Sequence, residues 1–283
     1  MSESHLRPVE DRECWYKMIR TMNDPAPFRP DSPLVGILAP SPNHGPRKAD
    51  IDMLVLHYTG MRSSETAVDL LRDPKAEVSC HYVVLEDASI IQMVPEARRA
   101  WHAGTSSWEG ITDTNSRSIG IEIANPGHAH GYPDFPEPQI VAVAALCQDI
   151  LARHPIRADR VLAHSDVAPL RKDDPGEKFP WHLLHHAGVG HLVHETALSG
   201  GRFLMQGDSG VPVEALQSML ALYGYGITVT GLYDAQTEAL VRAFQRHFRR
   251  AKVDGVADRS TIMTLRELIA SRPTQIPAAH AGT

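Results

Sequence analysis

The chain has 283 residues, 42% of them hydrophobic, which is enough for two compact domains or one large one. Its formal net charge of −6 gives no reason to expect nucleic acid as a partner, because nucleic-acid binding needs a basic surface. Three scattered cysteines argue against a disulfide framework, and no apolar run is long enough to predict a membrane span.

The N-terminal residues 1–33 are polar and rich in proline, so we expect an irregular arm with a short helix near residues 10–20. They lack the basic-then-apolar layout of a secretory signal. This favours a cytoplasmic protein, unless the biological start lies elsewhere, for which Met18 and Met22 are candidates.

Residues 34–185 alternate between strand-like and helix-like segments. The run DMLVLHY at 52–58 is almost continuously apolar, which is typical of a strand covered on both faces. The segment 137–155 has an apolar stripe with helical spacing and ends at a proline. Similar patterns predict a helix at 63–73, a hairpin at 81–94, and strands at 118–125 and 160–164. Because strands and helices interleave, we expect an α/β fold with a mixed central sheet flanked by helices.

The rest of the chain predicts a small three-helix all-α domain. Residues 186–206 are rich in histidine and glycine and weakly periodic, as expected of a linker. Residues 207–272 contain three helical patterns, each preceded by a turn, and residues 273–283 form a tail without predicted order. The apolar residues predicted to form the core of this domain are Leu216, Leu220, Val241, Phe244 and Leu265.

Two histidines end predicted strands of the first domain. His57 ends the strand at 52–58 and His164 ends the strand at 160–164, and ligands gather beyond the carboxyl ends of strands in an open α/β sheet. Asp174 follows ten positions later in a proline-bounded loop that we do not expect to be helical, and it can fold back toward His164. Two histidines and a carboxylate are a common catalytic zinc set with a fourth position left for water.

Two further residues fit hydrolysis at such a site. Glu122 lies between Ile121 and Ile123 on a predicted strand, and burial among apolar groups raises the pKa of a carboxyl, as a general base requires. Lys172 lies two positions before Asp174, where an ammonium group would stabilise negative charge on a carbonyl oxygen. Each residue alone has an ordinary structural interpretation: a core histidine, a buried ion pair, a solvated lysine or a turn aspartate.

Five motifs occur in this order: LVLHYTG, SCHYVV, AWHAG, NSRSIGIEIAN and LAHSDVAPLRKDDPG. Together they resemble the zinc-dependent N-acetylmuramoyl-L-alanine amidases of the type 2 family, which are related to the peptidoglycan recognition proteins. The resemblance covers roughly residues 34–185. It implies zinc ligands at His57, His164 and Asp174, a catalytic glutamate at Glu122 and the matching family lysine at Lys172.

The same resemblance places three residues near the substrate cleft, Trp101, His102 and Asn115, although framework packing is an equally open interpretation. Cys80 stands where family members with a different acid–base arrangement have a tyrosine. Because Glu122 is present, the loss of that tyrosine need not disable catalysis.

The C-terminal domain resembles the three-helix peptidoglycan-binding domain, whose landmarks appear in LQSMLALYGY, TGLYDAQTEALVRAFQ and VDGVADRSTIMTL. The segment RHFRRAK at 246–252 is more basic than this resemblance leads us to expect. We expect it to be a solvated face, with contact to acidic glycopeptide as the alternative.

The two resemblances imply hydrolysis of the amide bond between the lactyl group of N-acetylmuramic acid and L-alanine, with Zn²⁺ as cofactor and peptidoglycan or muropeptides as substrate. The alternatives are a non-catalytic peptidoglycan binder of the same fold and a closed structural zinc site. The binding domain favours a location in the cell envelope, whereas the missing signal favours the cytoplasm. The sequence indicates neither the oligomeric state nor a choice between intact wall and recycled anhydro-muropeptides.

Overall fold

The structure is a computed structural model that describes residues 15, 16, 19, 28–201 and 203–273. Trp15 and Ile19 are helical and buried, in the region where a short helix is expected. The rest of the predicted arm up to residue 27, and the tail from residue 274, lie outside the described residues.

A six-stranded sheet forms the centre of the first domain, in the order β1-β5-β4-β7-β3-β8. Strands β4 and β5 form the predicted hairpin and pair antiparallel, whereas the other neighbours pair parallel, so the mixed sheet is confirmed. A separate antiparallel pair joins β2 and β6. The strands are β1 (Ile37–Leu38), β2 (His44–Pro46), β3 (Met53–Tyr58), β4 (Tyr82–Val84), β5 (Ile90–Gln92), β6 (Arg98–Ala100), β7 (Ser118–Ile123) and β8 (Val161–Ala163).

Within the described residues, the five longer helices lie where helical periodicity predicts them. The other three are short and lie in segments where the sequence shows no clear helical pattern. Ser63 caps the first helix by accepting a hydrogen bond from the Thr66 amide. The helices are α1 (Ser64–Arg72), α2 (Thr114–Arg117), α3 (Glu137–Arg153), α4 (His164–Val167), α5 (Trp181–His186), α6 (Val211–Tyr223), α7 (Ala235–Phe248) and α8 (Arg259–Ala270). None of the helices in the described part of the chain has the length and apolar character needed to cross a bilayer.

The sheet is covered on both faces. Helix α3 packs on one face, against the alternate residues Ile119, Ile121 and Ile123 of β7. On the other face, α1 covers β4 and β5, together with Trp15.

The C-terminal helices cover the remaining half of that second face. Met53 and Val55 of β3 belong to the same buried apolar cluster as Tyr225, Phe244 and the rest of the three-helix core. The five predicted core residues Leu216, Leu220, Val241, Phe244 and Leu265 are all buried there. The C-terminal domain is therefore packed onto the sheet, next to the strand that carries His57.

Candidate active site

The two predicted strand-end histidines meet because β3 and β8 are parallel neighbours. His57 is the fifth residue of β3, and His164 follows β8 directly as the first residue of α4. Their Nδ1 atoms lie 2.9 Å apart. Asp174 Oδ2 lies 3.0 Å from Nδ1 of His164 and 3.2 Å from Nδ1 of His57. All three side chains are buried, so three atoms that can bind a metal converge in the interior.

A chain of hydrogen bonds fixes the tautomer of His57. The Ser118 hydroxyl donates to the Thr114 carbonyl at 2.7 Å, so its oxygen accepts from Nε2 of His102 at 3.1 Å. His102 then presents Nδ1 as an acceptor, to which Nε2 of His57 donates at 3.0 Å. The remaining nitrogen of His57, Nδ1, therefore carries a lone pair toward His164 and Asp174.

Hydrogen bonding also sets which ring nitrogen of His164 faces the other two residues. Its Nε2 lies 3.2 Å from the Ala103 carbonyl, which can only accept, so the neutral imidazole presents Nδ1 as a lone pair. Three acceptors thus face one another with no donor between them. A shared cation relieves this arrangement, and ligand atoms about 2.0–2.1 Å from a tetrahedral zinc ion lie roughly 3.3 Å apart, close to the spacing here. The residues present fit a divalent metal.

Burial and neighbouring charge set the ionisation of His57. Burial and the adjacent His164 lower the pKa of His57 to about 4, so this imidazole is neutral near pH 7. The set therefore offers a neutral imidazole at His57, the imidazole of His164 and the carboxyl group of Asp174. Among the described residues no fourth His, Cys, Asp or Glu completes it.

Glu122 lies beside the metal-binding set. It is paired with His57 across β7 and β3, and paired residues of parallel strands point to the same face of the sheet. Its Oε2 is buried and has no hydrogen-bond partner among the described residues. Burial and the negative charge of Asp174 raise the pKa of Glu122 well above its ordinary value, while Lys172 lowers it. Glu122 thus has a buried, unpartnered oxygen close to three atoms that can bind a metal.

Lys172 approaches the site from the loop between α4 and α5. It is half-buried, and within the described ranges no ion pair involves its ammonium group. Its charge lowers the pKa of both His57 and Glu122, which places the ammonium group within electrostatic range of both. The loop around it is non-helical, as expected, although His164 itself begins the four-residue helix α4.

The three residues predicted near the substrate cleft occupy different positions. Trp101 is half-buried and is tied to Ser79 through its backbone amide. Asn115 is buried, and its Oδ1 accepts from the amides of His102 and Ala103, which orders the segment behind His57. His102 contacts His57 directly, as described above. A role for these residues in substrate binding stays a prediction.

Cys80 is buried just before β4, near Glu122. Its Sγ donates to the Tyr82 carbonyl at 3.2 Å. Burial and the charge of Glu122 raise the pKa of the Cys80 thiol well above its usual value, so the thiol stays neutral.

Two residues of the site did not emerge from the sequence, Ser118 and Gly120. A Cβ at Gly120 would lie 2.5 Å from the His102 ring, so the close approach of that ring to β7 requires glycine at this position. The signal was available in SIGIEI, where Ser118, Gly120 and Glu122 alternate with three isoleucines. Two small residues and an acid on one strand face indicate that a polar group packs there.

The sequence matches two protein families. Residues 47–177 match the N-acetylmuramoyl-L-alanine amidase family, and residues 209–265 match a peptidoglycan binding domain. The chain is 36% identical over 226 residues to the N-acetylmuramoyl-L-alanine amidase AmiD of Escherichia coli, covering 75% of this chain and 79% of AmiD. It is 34% identical over 165 residues to the 1,6-anhydro-N-acetylmuramyl-L-alanine amidase AmpD of Enterobacter cloacae, covering 52% of this chain and 86% of AmpD.

Solved structures agree with these matches. The complex of Escherichia coli AmiD with anhydro-N-acetylmuramic acid-L-Ala-D-γ-Glu-L-Lys superimposes with a TM-score of 0.67 at 33% identity, covering 86% of this chain and 93% of AmiD. Pseudomonas aeruginosa AmpDh3 in complex with anhydromuramic pentapeptide gives a TM-score of 0.65 at 29% identity, covering 88% of this chain and 98% of AmpDh3. With the buried His57–His164–Asp174 set at the sheet edge, the chain belongs to the N-acetylmuramoyl-L-alanine amidase family.

Proposed function

We propose that the protein is a zinc-dependent N-acetylmuramoyl-L-alanine amidase that hydrolyses the amide bond between the lactyl group of N-acetylmuramic acid and L-alanine. The observation that carries the proposal is the convergence of three buried acceptor atoms, with one unpartnered carboxylate oxygen of Glu122 beside them. The family and its muropeptide-bound relatives supply the substrate class.

His57, His164 and Asp174 would hold the zinc ion. A zinc ion bound there would supply Lewis-acid polarisation of a carbonyl group and would make a nearby water molecule more acidic. Two neutral imidazoles and one carboxylate leave net positive charge at such an ion, which favours both effects.

The remaining steps belong to side chains of this protein. Glu122 Oε2 takes a proton from the attacking water, whose oxygen bonds to the amide carbon. The Lys172 ammonium group stabilises the negative charge that develops on the carbonyl oxygen. Glu122 then gives the proton to the leaving nitrogen as the carbon–nitrogen bond breaks, releasing L-alanine at the end of the stem peptide. The raised pKa of Glu122 suits a group that must both accept and return a proton.

The geometry of the site supports neither of the two rival interpretations, a closed structural zinc site or a non-catalytic binder. A closed structural zinc site needs a fourth protein ligand, and within the described part of the chain the set has three. A non-catalytic binder needs no general base, so it gives no reason for the buried, unpartnered Oε2 of Glu122. Both considerations support the hydrolase.

The form of the substrate follows from two different lines of support. The C-terminal peptidoglycan binding domain supports polymeric wall as a substrate, and the relatives solved with anhydromuramyl peptides support small muropeptides. We propose that the enzyme accepts both and associates with the wall. Parallel assays on purified sacculi and on anhydromuropeptides, together with fractionation of native cells, test this part.

The central test is metal removal and restoration with a muropeptide substrate. We expect chelation to abolish release of the stem peptide and stoichiometric zinc to restore it, with mass spectrometry identifying L-alanine at the new amino terminus. Turnover that persists after complete removal of the metal would rule out the proposed mechanism. Cleavage at another bond would rule out the proposed substrate.

A further inference from the structure

The C-terminal domain contacts the segment of chain that carries two of the three metal-binding residues. This segment runs from α4, which begins with His164, through the loop with Lys172 and Asp174, to α5. The loop contains no regular secondary structure between residues 168 and 180. Each ordered loop residue costs about 1–2 kcal/mol of backbone entropy, so contacts from outside must hold it.

The first contact is at Asp166, two positions after His164. Its carboxylate is fully buried and accepts three hydrogen bonds. Oδ2 accepts from the amide of Ala163 at 2.8 Å, which closes the turn in which His164 lies. Oδ1 accepts from the Tyr225 hydroxyl at 2.7 Å, and Oδ2 also accepts from His247 Nδ1 at 2.6 Å. Both of the latter donors belong to the C-terminal domain.

His247 is itself held in place by stacking. Its ring lies 3.7 Å from the ring of Trp181, at an interplanar angle of 22°, and is buried. Because Trp181 begins α5, this stack fixes α5 as well as Asp166. The next turn of the C-terminal domain continues the contact, since Arg250 donates to the Phe179 carbonyl at 3.0 Å.

The second contact is next to Asp174. Arg246 pairs with Asp173 at 2.8 Å and lies 3.9 Å from Glu177. The basic segment 246–252 is thus not the solvated face that the sequence suggests. His247 is buried and Arg246 is 14% exposed in its side chain, because these two residues face the loop of the first domain. Arg249 is buried within the C-terminal domain, where it donates to Thr261 at 2.7 Å.

We propose that the C-terminal domain is part of the metal site: Tyr225 and His247, acting through Asp166, hold the turn that presents His164, and so the domain sets the affinity for the metal. This gives the domain a role in the reaction that is separate from attachment to the wall. The inference rests on the proposed function, because it assumes that the three acceptors bind zinc.

The test compares two buried tyrosines of the same domain. Tyr225→Phe removes a hydroxyl that reaches Asp166, whereas Tyr233→Phe removes a hydroxyl that donates to Gly255 at 2.6 Å within the C-terminal domain. Each variant loses one hydroxyl group and one buried hydrogen bond. We expect Tyr233→Phe to lower the Tm of the metal-free protein by about 2–4 °C, and Tyr225→Phe to lower it somewhat more, because its bond goes to a carboxylate. Zinc affinity is measured on the metal-free full chain by competition with a chromophoric chelator.

We expect Tyr225→Phe to bind zinc about five- to tenfold more weakly and Tyr233→Phe to bind it like the wild type. Residues that hydrogen-bond to a metal ligand typically alter metal affinity about 10- to 100-fold, and Tyr225 contacts the ligand only indirectly, through Asp166. His247→Phe, which keeps the stack on Trp181, should weaken binding at least as much. Equal zinc affinity for Tyr225→Phe, His247→Phe and Tyr233→Phe would overturn the inference alone. A wild-type chain that binds no zinc would overturn the proposed function and the inference with it.

Discussion

Two buried polar clusters adjoin each other at His164 and Asp166, and they differ in how their hydrogen-bond donors and acceptors match. At Asp166, three donors meet one carboxylate, and both oxygens are satisfied. At His57, His164 and Asp174, three acceptors meet with no donor between them. Native interiors satisfy almost all their polar groups, so a buried cluster with matched partners is structural and one with unmatched acceptors has a ligand to bind. Burial alone does not separate the two; the count of donors and acceptors does.

The largest effect should come from removing one of the three acceptors. We expect His57→Ala to lose both bound zinc and turnover, the latter by at least about 10³-fold, because two remaining ligands cannot hold the ion in place. Metal content by mass spectrometry and stem-peptide release measure the two effects. Tight zinc binding by this variant would mean that the unmatched acceptors are not the metal site.

Glu122→Gln separates the base from the ligands. We expect zinc content to stay the same while kcat falls about 10²–10⁴-fold, the usual range for loss of a general base. Glu137→Gln, at the exposed start of α3, is the matched control and should behave like the wild type. Loss of zinc in the Glu122 variant would instead make Glu122 a ligand.

Lys172→Met should have a smaller effect on rate and a distinctive effect on pH dependence. A general base works when ionised, so the acid limb of the kcat/KM profile should follow the pKa of Glu122. Lys172 lowers that pKa, so its removal should move the limb to higher pH, and loss of its charge near the carbonyl oxygen should reduce kcat about 10- to 100-fold.

The matched control is Lys178→Met, in the same loop, whose exposed ammonium group pairs with Asp134. We expect the acid limb of this variant to stay in place. A limb that moves equally in both variants would show a general loss of positive charge, not an action of Lys172 on Glu122.

The smallest predicted effect concerns the ion pair between Arg246 of the C-terminal domain and Asp173 of the loop. Arg246→Ala removes the contact to Asp173, which is half-exposed, so we expect zinc affinity and kcat to fall only about two- to fivefold. Arg242→Ala, one turn earlier in α7, removes the same side chain from a pair with Glu238 inside the helix and should leave both unchanged. Identical behaviour of the two variants would show that the Asp173 contact does not reach the metal site.

The sequence predicted the cluster of His57, His164 and Asp174 better than the cluster around Asp166, for a physical reason. His57 and His164 end apolar runs, and parallel strands bring such ends to one edge, so local patterns were sufficient. Asp166, Tyr225 and His247 meet only when two domains pack, and no local pattern in the segment 246–252 distinguishes a buried interface from a solvated face. Likewise, Ser118 hydrogen-bonds to the ring of His102 and Gly120 leaves room for it, and this ring lies in a loop that is distant in the sequence.

The apolar cluster that joins β3 and β8 to the three-helix core has a consequence for how this protein melts and how it evolves. Met53, Val55 and Leu162 pack in one buried cluster with Tyr225 and Phe244. Removing the C-terminal helices would therefore expose apolar side chains of β3 and β8 next to the active site. Heating should therefore give one calorimetric transition instead of two. Replacing the C-terminal domain by recombination would succeed only if the new domain also presents apolar side chains that pack against β3.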